Sequence, residues 1–282
     1  MLVLVTGASG QLGQALQYIA PQYNNMQFYF ASSNEADVTD KKSIAALFND
    51  KKPDVCINAA AYTAVDKAES EQEAAYLVNV TGARNLAEVC KDFSCTLVHI
   101  STDFVFDGNK ITPYTEDDIT NPEGIYGKTK RDGELAVAQA LSEHYIVRTS
   151  WLYSQFAANF MKTMIKLGRE RDTLSVVNDQ RGTPTNAVDL ASAVLDMIVA
   201  DKGQFGTYHF SNAGEATWYD FAKKIFEIAN IEIDLKPIPS SGYPTPAKRP
   251  AYSVLDKTKI TANFGIVPQH WEASLQKAIT AL

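Results

Sequence analysis

The chain has 282 residues, of which 45% are hydrophobic and 21% charged, and this near-average composition excludes disordered, collagen-like and fibrous classes. Its net charge is −7 and its 26 Lys and Arg residues are scattered along the sequence, so neither a nucleic acid nor an anionic membrane is an expected partner. The three cysteines (Cys56, Cys90 and Cys95) are odd in number and form no CxxC pair, so we expect neither a disulfide framework nor a zinc site, and a reducing cytoplasm fits best. No window reaches the roughly 18 apolar residues of a membrane span, so we expect no membrane-spanning segment.

The N-terminal part of the chain alternates short apolar runs with longer amphipathic segments. Strands are predicted at 2–5, 27–31, 55–58 and 96–100, and helices between them at 11–20, 41–49 and 71–92. Strands that alternate with helices in this way indicate βαβ units with right-handed crossovers. The sequence therefore predicts the α/β class, with a doubly wound parallel sheet.

The pattern becomes less regular after residue 150 and indicates a second, smaller α/β unit. Helices are predicted at 159–170 and 188–199, and a third helix, capped by Thr217 and Asp220, extends to residue 229. Strands are predicted at 174–177 and 208–210. We expect a cofactor-binding domain formed by residues 1–154 and 173–205, and a C-terminal substrate domain formed by residues 155–172 and 206–282.

One late segment is rich in proline. Five of the eleven prolines lie between Pro237 and Pro250, together with Tyr243, Lys248 and Arg249. Such a composition is typical of a linker or of a functional loop. The aromatic and basic side chains favour a loop that closes over a ligand.

A glycine-rich turn joins the first strand to the first helix in the sequence Thr6-Gly-Ala-Ser-Gly-Gln-Leu-Gly13. Its three glycines allow a tight turn, close approach of the backbone to a pyrophosphate and close packing of helix on strand. The start of the helix then offers free N–H groups to the phosphates. An ordinary turn is the alternative, but the position between strand and helix favours a Rossmann-type dinucleotide site. The predicted cofactor contacts are Gly7, Ser9, Gly10, Gln11, Leu12 and Gly13.

The end of the second strand bears on which dinucleotide is bound. A ribose-binding acid is expected about 20 residues past the glycines, yet the strand runs out as Ala31-Ser-Ser-Asn34. Ser32 leaves room for a 2′-phosphate, although no arginine stands there to pair with it. We therefore favour NADPH over NADH and leave dual use open. Asp37 and Val38 are either a contact for the adenine ring or a plain turn before the next helix.

A second group of polar residues carries acid–base chemistry. Thr102 and Asp103 follow the fourth strand, and Tyr126 and Lys130 stand four residues apart, on one face of a helix. A lysine ammonium beside a tyrosine favours the phenolate, so we expect the pKa of Tyr126 to lie below its usual value of about 10. The hydroxyl of Thr102 would reach a carbonyl oxygen bound above the same ring. A surface helix is the alternative for the Tyr-Lys pair alone.

These motifs together resemble the extended short-chain dehydrogenase/reductases, and in particular the dTDP-4-dehydrorhamnose reductase family. The resemblance covers the whole chain. Its most specific segments are residues 58–69, 101–106, 126–130, 148–151, 178–185 and 243–250. It implies an enzyme that uses NADPH or NADH to reduce the C4 ketone of dTDP-4-dehydro-L-rhamnose to dTDP-L-rhamnose.

The resemblance also implies residue roles. The catalytic residues would be Tyr126 as proton donor, Thr102 as hydrogen-bond donor to the same oxygen, and Lys130 as holder of the nicotinamide ribose. Ala61, Tyr62 and Thr63 would line the cofactor. The sugar nucleotide would contact Thr102, Asp103 and Trp151, with Arg249 at its diphosphate. Trp151 is equally compatible with a place in the core between the domains, and Arg148 with a structural role.

Three other functions are compatible with the same fold. Sugar-nucleotide 4,6-dehydratases need an acid after the Thr-Asp pair, where this chain has Phe104. The 4-epimerases use the same tyrosine and lysine and are disfavoured only by the substrate-domain segments. A non-catalytic NAD(P)-binding regulatory subunit, like that of methionine adenosyltransferase, is disfavoured by the intact catalytic residues.

Metal and assembly are expected to differ from part of the family. Some relatives dimerise around a divalent cation held by glutamates, whose matching positions here are Ala15, Val188 and Ala281. None of these side chains offers the oxygen ligands that such a cation needs. We therefore expect no metal site, and a monomer or a metal-independent dimer.

Overall fold

The computed structural model describes residues 1–200 and 202–282. Its strands are β1 (Leu2–Thr6), β2 (Gln27–Ala31), β3 (Val55–Asn58), β4 (Thr96–Thr102), β5 (His144–Thr149), β6 (Leu152–Tyr153), β7 (Thr173–Val177), β8 (Arg181–Gly182), β9 (Thr185–Asn186), β10 (Gly206–His209), β11 (Ala216–Thr217) and β12 (Asp234–Ile238). Its helices are α1 (Gln11–Ile19), α2 (Lys41–Lys51), α3 (Val65–Ala68), α4 (Gln72–Tyr76), α5 (Ala83–Asp92), α6 (Ile125–Ala140), α7 (Phe160–Glu170), α8 (Ala187–Ala200), α9 (Trp218–Ile228), α10 (Thr258–Phe264) and α11 (Trp271–Thr280). No helix in this part of the chain is long and apolar enough to span a bilayer.

A six-stranded sheet organises the large unit, with the strand order β10-β5-β4-β3-β1-β2 and every neighbouring pair parallel. The chain passes from β1 to β2 on one side and then returns to β3 on the other, so the direction of winding reverses beside β1. Such a reversal is where ligands bind in open α/β sheets. The prediction of a doubly wound parallel sheet is confirmed.

Each face of the sheet is covered by helices. On one face α1 packs on α8, and buried Leu16 and Leu190 belong to the same core as Val3 of β1. On the other face α2, α5 and α6 pack together, and Leu86 belongs to the same core as Leu4 of β1. The alternation along β1 thus sends successive apolar side chains into two separate cores.

The small unit has its own core, which is formed mainly by α7, α9 and α11 around Met161, Phe221 and Trp271. The predicted boundary differs from the observed pairing in two segments. Residues 173–177 form β7, which pairs with β12 in the small unit, and residues 206–209 form β10, which is the edge strand of the large sheet beside β5. Tyr208 fixes the second assignment because it is buried in the large core.

Most predicted elements are present within one or two residues of their predicted bounds. The cap of α9 is confirmed, since Thr217 and Asp220 each bond the other's backbone N–H. The helix predicted over 71–92 is interrupted by a π-helical turn, Leu77–Gly82, between α4 and α5. The strand β5 was not among the predicted strands.

Candidate active site

The glycine turn after β1 is shaped for close approach. Gly7 has a φ of 68°, and a Cβ there would lie 2.6 Å from the backbone nitrogen of Ala60. A Cβ on Gly13 would lie 2.4 Å from the carbonyl oxygen of Gly7. Only glycine fits at these two positions, and the turn therefore brings bare backbone to the start of α1.

The start of α1 offers donors to an anion. Gly10 is the N-cap without any side-chain cap, and the first turn contains no acidic residue. The side chain of Gln11 points elsewhere, since its Oε1 accepts a hydrogen bond of 3.1 Å from Ser154 just after β6. The backbone around Gly7, Gly10 and Gly13 therefore fits a dinucleotide diphosphate, and the structure places the predicted Ser9 and Leu12 in the same turn.

A carboxylate that the sequence reasoning missed lies at the end of β2. The Glu35 carboxylate accepts hydrogen bonds from the backbone N–H of Ser32 at 2.9 Å and from its hydroxyl at 2.7 Å. The Tyr29 hydroxyl donates to the other carboxylate oxygen at 3.0 Å. The expectation that no acid stands beside Ser32 is therefore wrong, because Glu35 folds back over the strand end.

The two residues predicted to contact the adenine ring differ in burial. Val38 is buried in the core, and Gly82 lies so close that a Cβ on it would be 2.7 Å from Val38 Cγ2. Asp37 is exposed, and its Oδ1 accepts hydrogen bonds from the backbone and hydroxyl of Thr39. The turn between β2 and α2 therefore explains both residues structurally, and an adenine contact remains a prediction.

The residues predicted for catalysis meet at the carboxyl end of β4. Thr102 is buried, and its hydroxyl donates to Asp103 Oδ1 at 3.0 Å. The Tyr126 ring packs edge-on against Phe104 with a centroid distance of 5.5 Å. A Cβ on Gly127 would lie 2.1 Å from the carbonyl oxygen of Phe104, so glycine there lets α6 approach the strand end. The structure thus brings Thr102 and Tyr126 together: burial raises the pKa of the phenol, and the nearby Thr102 hydroxyl opposes part of that rise.

Lys130 lies one turn further along α6, beneath this pair. Its Nζ donates to the carbonyl oxygen of Ile100 at 2.7 Å and lies 3.5 Å from His99 Nε2. Burial lowers the pKa of Lys130 to about 8, because the cation loses solvent. Burial also raises the pKa of Tyr126 to about 12. The expectation that Lys130 would bring the tyrosine pKa below 10 is therefore wrong, since desolvation of the phenol is the largest effect on its pKa.

A buried chain of hydrogen bonds orients His99 beside Lys130. The backbone N–H of Ala60 and the hydroxyl of Thr6 both donate to Asn58 Oδ1, which orients the amide. Asn58 Nδ2 lies 3.0 Å from His99 Nδ1. His99 therefore accepts at Nδ1 and carries its proton at Nε2, so it does not accept a hydrogen bond from the Lys130 ammonium, whose acceptor is the carbonyl oxygen of Ile100. No sequence pattern pointed to His99, whose orientation depends on contacts across three strands.

Asp103 is the most unusual acid of the site. It is 1% exposed, and its Oδ2 has no hydrogen bond of normal geometry among residues 1–200 and 202–282. Burial raises its pKa to about 6, against the lowering effect of the Ser253 and Thr102 hydroxyls. A buried carboxylate oxygen without a partner is costly unless a ligand completes it.

The segment after β3 connects the cofactor side of the cleft to α6. Ala61, Tyr62 and Thr63 lie in it without regular secondary structure. The backbone N–H of Tyr62 donates to Asn79 Oδ1 at 2.8 Å, and Asn79 in turn donates to Thr129 on α6. The three predicted cofactor contacts are therefore held beside the catalytic helix.

Two acids at α3 in this segment were not predicted. Glu69 Oε1 accepts a hydrogen bond of 2.8 Å from the backbone N–H of Ile125, the first residue of α6, whose N-cap Gly124 has no side chain. Asp66 forms a bidentate ion pair with Arg249, with distances of 3.0 and 2.7 Å. The motif containing them was noticed, but only the fold shows which partners these carboxylates have.

The proline-rich segment is held against this region by two ion pairs, and its closing over a ligand stays a prediction. Arg249 is held by Asp66, and Lys248 Nζ lies 2.6 Å from Glu123 Oε1, just before α6. The segment therefore joins the small unit to the large unit beside Tyr126. The guanidinium of Arg249 is already paired, so a role at the diphosphate requires it to exchange Asp66 for the phosphate.

Trp151 lies at the junction of the two units. Its φ of 44° is in the left-handed region, which is strained for a tryptophan. Its ring stacks on Trp218 with a centroid distance of 3.7 Å, and a Cβ on Gly182 would lie 2.6 Å from the ring. The contacts support the junction interpretation, and a sugar contact for its remaining exposed surface stays a prediction.

The structural role of Arg148 is clear. It is buried and pairs with Glu134 of α6 at 2.8 Å.

Of the three positions at which relatives have metal-binding glutamates, Ala15 is fully buried in the core that α1 shares with α8. Within the described residues no group of three or more His, Cys, Asp or Glu side chains is close enough together to hold a metal ion.

Comparison with known proteins identifies the family. The chain matches the family model described as RmlD substrate binding domain over residues 1–282. It is 41% identical to a dTDP-4-dehydrorhamnose reductase of Aggregatibacter actinomycetemcomitans, over 97% of each chain. A solved dTDP-4-dehydrorhamnose reductase of Clostridium acetobutylicum is 43% identical with a TM-score of 0.96, covering 100% of this chain and 99% of that one. One from Bacillus anthracis, solved in complex with NADP, is 38% identical with a TM-score of 0.95 and the same coverage. The chain therefore belongs to the dTDP-4-dehydrorhamnose reductase family.

Proposed function

We propose that this chain is an NAD(P)H-dependent reductase that converts the C4 ketone of dTDP-4-dehydro-L-rhamnose to the alcohol of dTDP-L-rhamnose. The observation that carries the proposal is that Thr102, Tyr126 and Lys130 lie around the carboxyl end of β4, at the same edge of the parallel sheet as the glycine turn after β1. The identity of the substrate is inferred from membership of the dTDP-4-dehydrorhamnose reductase family. The large unit would bind the cofactor and the small unit the sugar nucleotide.

The bound cofactor supplies the hydride that reduces C4. Tyr126 supplies the proton, and its raised pKa keeps the phenol protonated throughout the neutral range. The Thr102 hydroxyl, which donates to Asp103 Oδ1 in the structure, would turn to donate to the ketone oxygen. These two donors would hold the oxygen where negative charge develops.

Lys130 would act on both Tyr126 and the cofactor. Below its pKa of about 8 it carries a positive charge beside Tyr126, which stabilises the phenolate left after proton transfer. Its position one turn from Tyr126 also suits a hydrogen bond to the nicotinamide ribose. The Oδ2 atom of Asp103 would accept a hydrogen bond from a hydroxyl of the bound sugar, which completes this buried group.

The three buried free cysteines support a cytoplasmic place of action, and the matching positions without carboxylates support a monomer or a metal-independent dimer. The activity is tested by following NADPH absorbance at 340 nm after addition of dTDP-4-dehydro-L-rhamnose. We expect stoichiometric oxidation and formation of dTDP-L-rhamnose. A 4-epimerase would isomerise a sugar nucleotide without net oxidation, and a regulatory subunit would bind the cofactor without turnover; either result would reject the proposal.

A further inference from the structure

Two turns of α6 beyond Tyr126, a buried ion pair joins the helix to the sheet. The Glu134 carboxylate accepts hydrogen bonds from Nε and Nη2 of Arg148 on β5 at 3.0 and 2.8 Å, and the two side chains are 6% and 7% exposed. Glu134 lies one turn beyond Lys130, which is also buried. The interface between α6 and the sheet therefore contains two cations and one carboxylate.

The contacts place Glu134 between the two cations. Ser101 Oγ donates to Glu134 Oε1, and Lys130 Nζ donates at 2.7 Å to the carbonyl oxygen of the residue that precedes Ser101, so both α6 side chains contact consecutive residues of β4. Arg148 reaches the carboxylate from β5, and its Nη1 lies 3.3 Å from His209 Nε2 on β10, at the other side of β5. Glu134 is therefore on the Lys130 side of the guanidinium, and the three charges alternate in sign.

This alternation bears on the charge of the catalytic lysine. Arginine keeps its proton in any protein environment, whereas a lysine ammonium can lose its proton when it is buried. Burial lowers the pKa of Lys130 to about 8, and the charge of Glu134 acts in the opposite direction. Loss of the Glu134 charge would leave two buried cations beside each other, and Lys130 is the one that can become neutral.

The other ionisable groups of the elements packed on α6 keep one charge state near pH 8. Three histidines of the strands stay neutral because burial lowers their pKa values: His99, His144 and His209. Burial raises the pKa of Tyr126 to about 12 and that of Asp103 to about 6, so the phenol is protonated and the carboxyl ionised. The π-helical turn faces α6 with uncharged Asn79, and Glu69 contacts only the first residue of the helix. A change in the titration of Lys130 can therefore be assigned to the ion pair.

We propose that Glu134 is a positioning residue for the reduction, which pairs with Arg148 to hold α6 against the sheet and acts as the counter-ion that keeps Lys130 charged. The inference rests on the proposed function, in which the Lys130 cation stabilises the phenolate of Tyr126. It adds to that site a residue that acts through Lys130 rather than on the substrate.

The test is the pH dependence of kcat/KM for NADPH oxidation by the full chain with dTDP-4-dehydro-L-rhamnose. Glu134→Gln keeps the size of the side chain but removes its charge, and we expect the alkaline limb to move from about 8 to lower pH by about one unit. Glu134→Asp keeps the charge and should leave the limb near its wild-type position. A role in helix packing alone would lower kcat at every pH without moving the limb.

Two further variants complete the design. Asp132→Asn is the matched control, because it removes a partly exposed carboxylate of the same helix that pairs with Arg131, and the limb should not move. Glu134→Gln leaves the Arg148 cation without a partner, which is strongly destabilising in a buried site. The double variant Glu134→Gln/Arg148→Met removes both charges and is expected to fold. Because Glu134 is the charge on the Lys130 side of the pair, the limb of the double variant should also move to lower pH.

Circular dichroism identifies the variants that keep the fold. A limb that stays within about 0.3 pH units of wild type in folded Glu134→Gln, or in the double variant if the single one does not fold, would overturn the inference. An equal shift in Glu134→Asp or in Asp132→Asn would also overturn it. If the wild-type chain did not oxidise NADPH with this sugar nucleotide, the proposed function itself would fail, so the two failures are distinguishable.

Discussion

Replacing Asp103 by Asn is expected to stabilise the fold while impairing the enzyme. Burial raises the pKa of this carboxyl from 3.8 to about 6, and its Oδ2 has no normal hydrogen bond within the described residues. Asn keeps an oxygen that accepts from Thr102 but carries no charge. The protein thus keeps a carboxylate that lowers the stability of its fold, as expected for a group that forms its missing hydrogen bond with a ligand.

The size of the effect follows from the pKa. Each unit corresponds to about 1.4 kcal/mol, so the ionised carboxylate costs up to about 3 kcal/mol. Because the folded-state pKa of Asp103 is raised, the cost is absent below pH 3.8, grows between 3.8 and about 6, and is complete above about 6. The gain from Asp103→Asn should therefore be about 1.5 kcal/mol at pH 5 and about 3 kcal/mol at pH 8.

Urea denaturation of both proteins at pH 5 and pH 8 measures this gain. Asp107→Asn is a control of opposite sign, because the backbone N–H of Asn109 and the Tyr114 hydroxyl hold the pKa of Asp107 below its usual value. It should lose stability at pH 8. An Asp103→Asn protein that is less stable than wild type, or whose gain is the same at both pH values, would refute the reasoning. The KM of the Asp103→Asn enzyme for the sugar nucleotide should be higher than that of the wild type.

Four further outcomes are expected. Tyr126→Phe should lower kcat by roughly 100- to 10,000-fold with an almost unchanged Kd for the cofactor, since only the proton donor is lost; near-full activity would reject the assigned acid. The kcat/KM for reduction should fall as pH rises through about 8, where Lys130 loses its charge; a profile flat to pH 10 would contradict this role. Arg249→Ala should raise KM for the sugar nucleotide more than it lowers kcat, measured by steady-state kinetics, and Asp66→Asn should reproduce part of that change by freeing the proline-rich segment. Light scattering should give the same molar mass with magnesium and with a chelator, whereas a dimer lost only on chelation would reveal a metal site.

The fold was largely predictable because local patterns specify it. The glycine turn, the apolar runs and the capping residues Thr217 and Asp220 each act within a few residues. The strand β5 was missed because residues 144–149 lack flanking glycine or proline and mix His, Tyr and Arg with apolar residues. The strand β10 is short and partly polar, and only its pairing with β5 assigns it to the large sheet.

The candidate site was predictable in its chemistry but not in its electrostatics. The hydrogen-bonding residues Thr102, Tyr126 and Lys130 stand in recognisable motifs. Their pKa values depend on burial, which a sequence motif does not show, and this is why Tyr126 was misjudged. The pairing of Arg249 with Asp66 joins residues 183 apart, and no local pattern encodes such a contact.

The most direct test of the central claim follows the hydrogen atom itself. The chain is incubated with dTDP-4-dehydro-L-rhamnose and NADPH or NADH deuterated at C4 of the nicotinamide, and the product is analysed by mass spectrometry and NMR. We predict one deuterium on C4 of the rhamnose ring, transferred from only one face of the nicotinamide, and almost none with Tyr126→Phe. A product without deuterium at C4, or equal labelling by the Tyr126→Phe chain, would contradict reduction at this site.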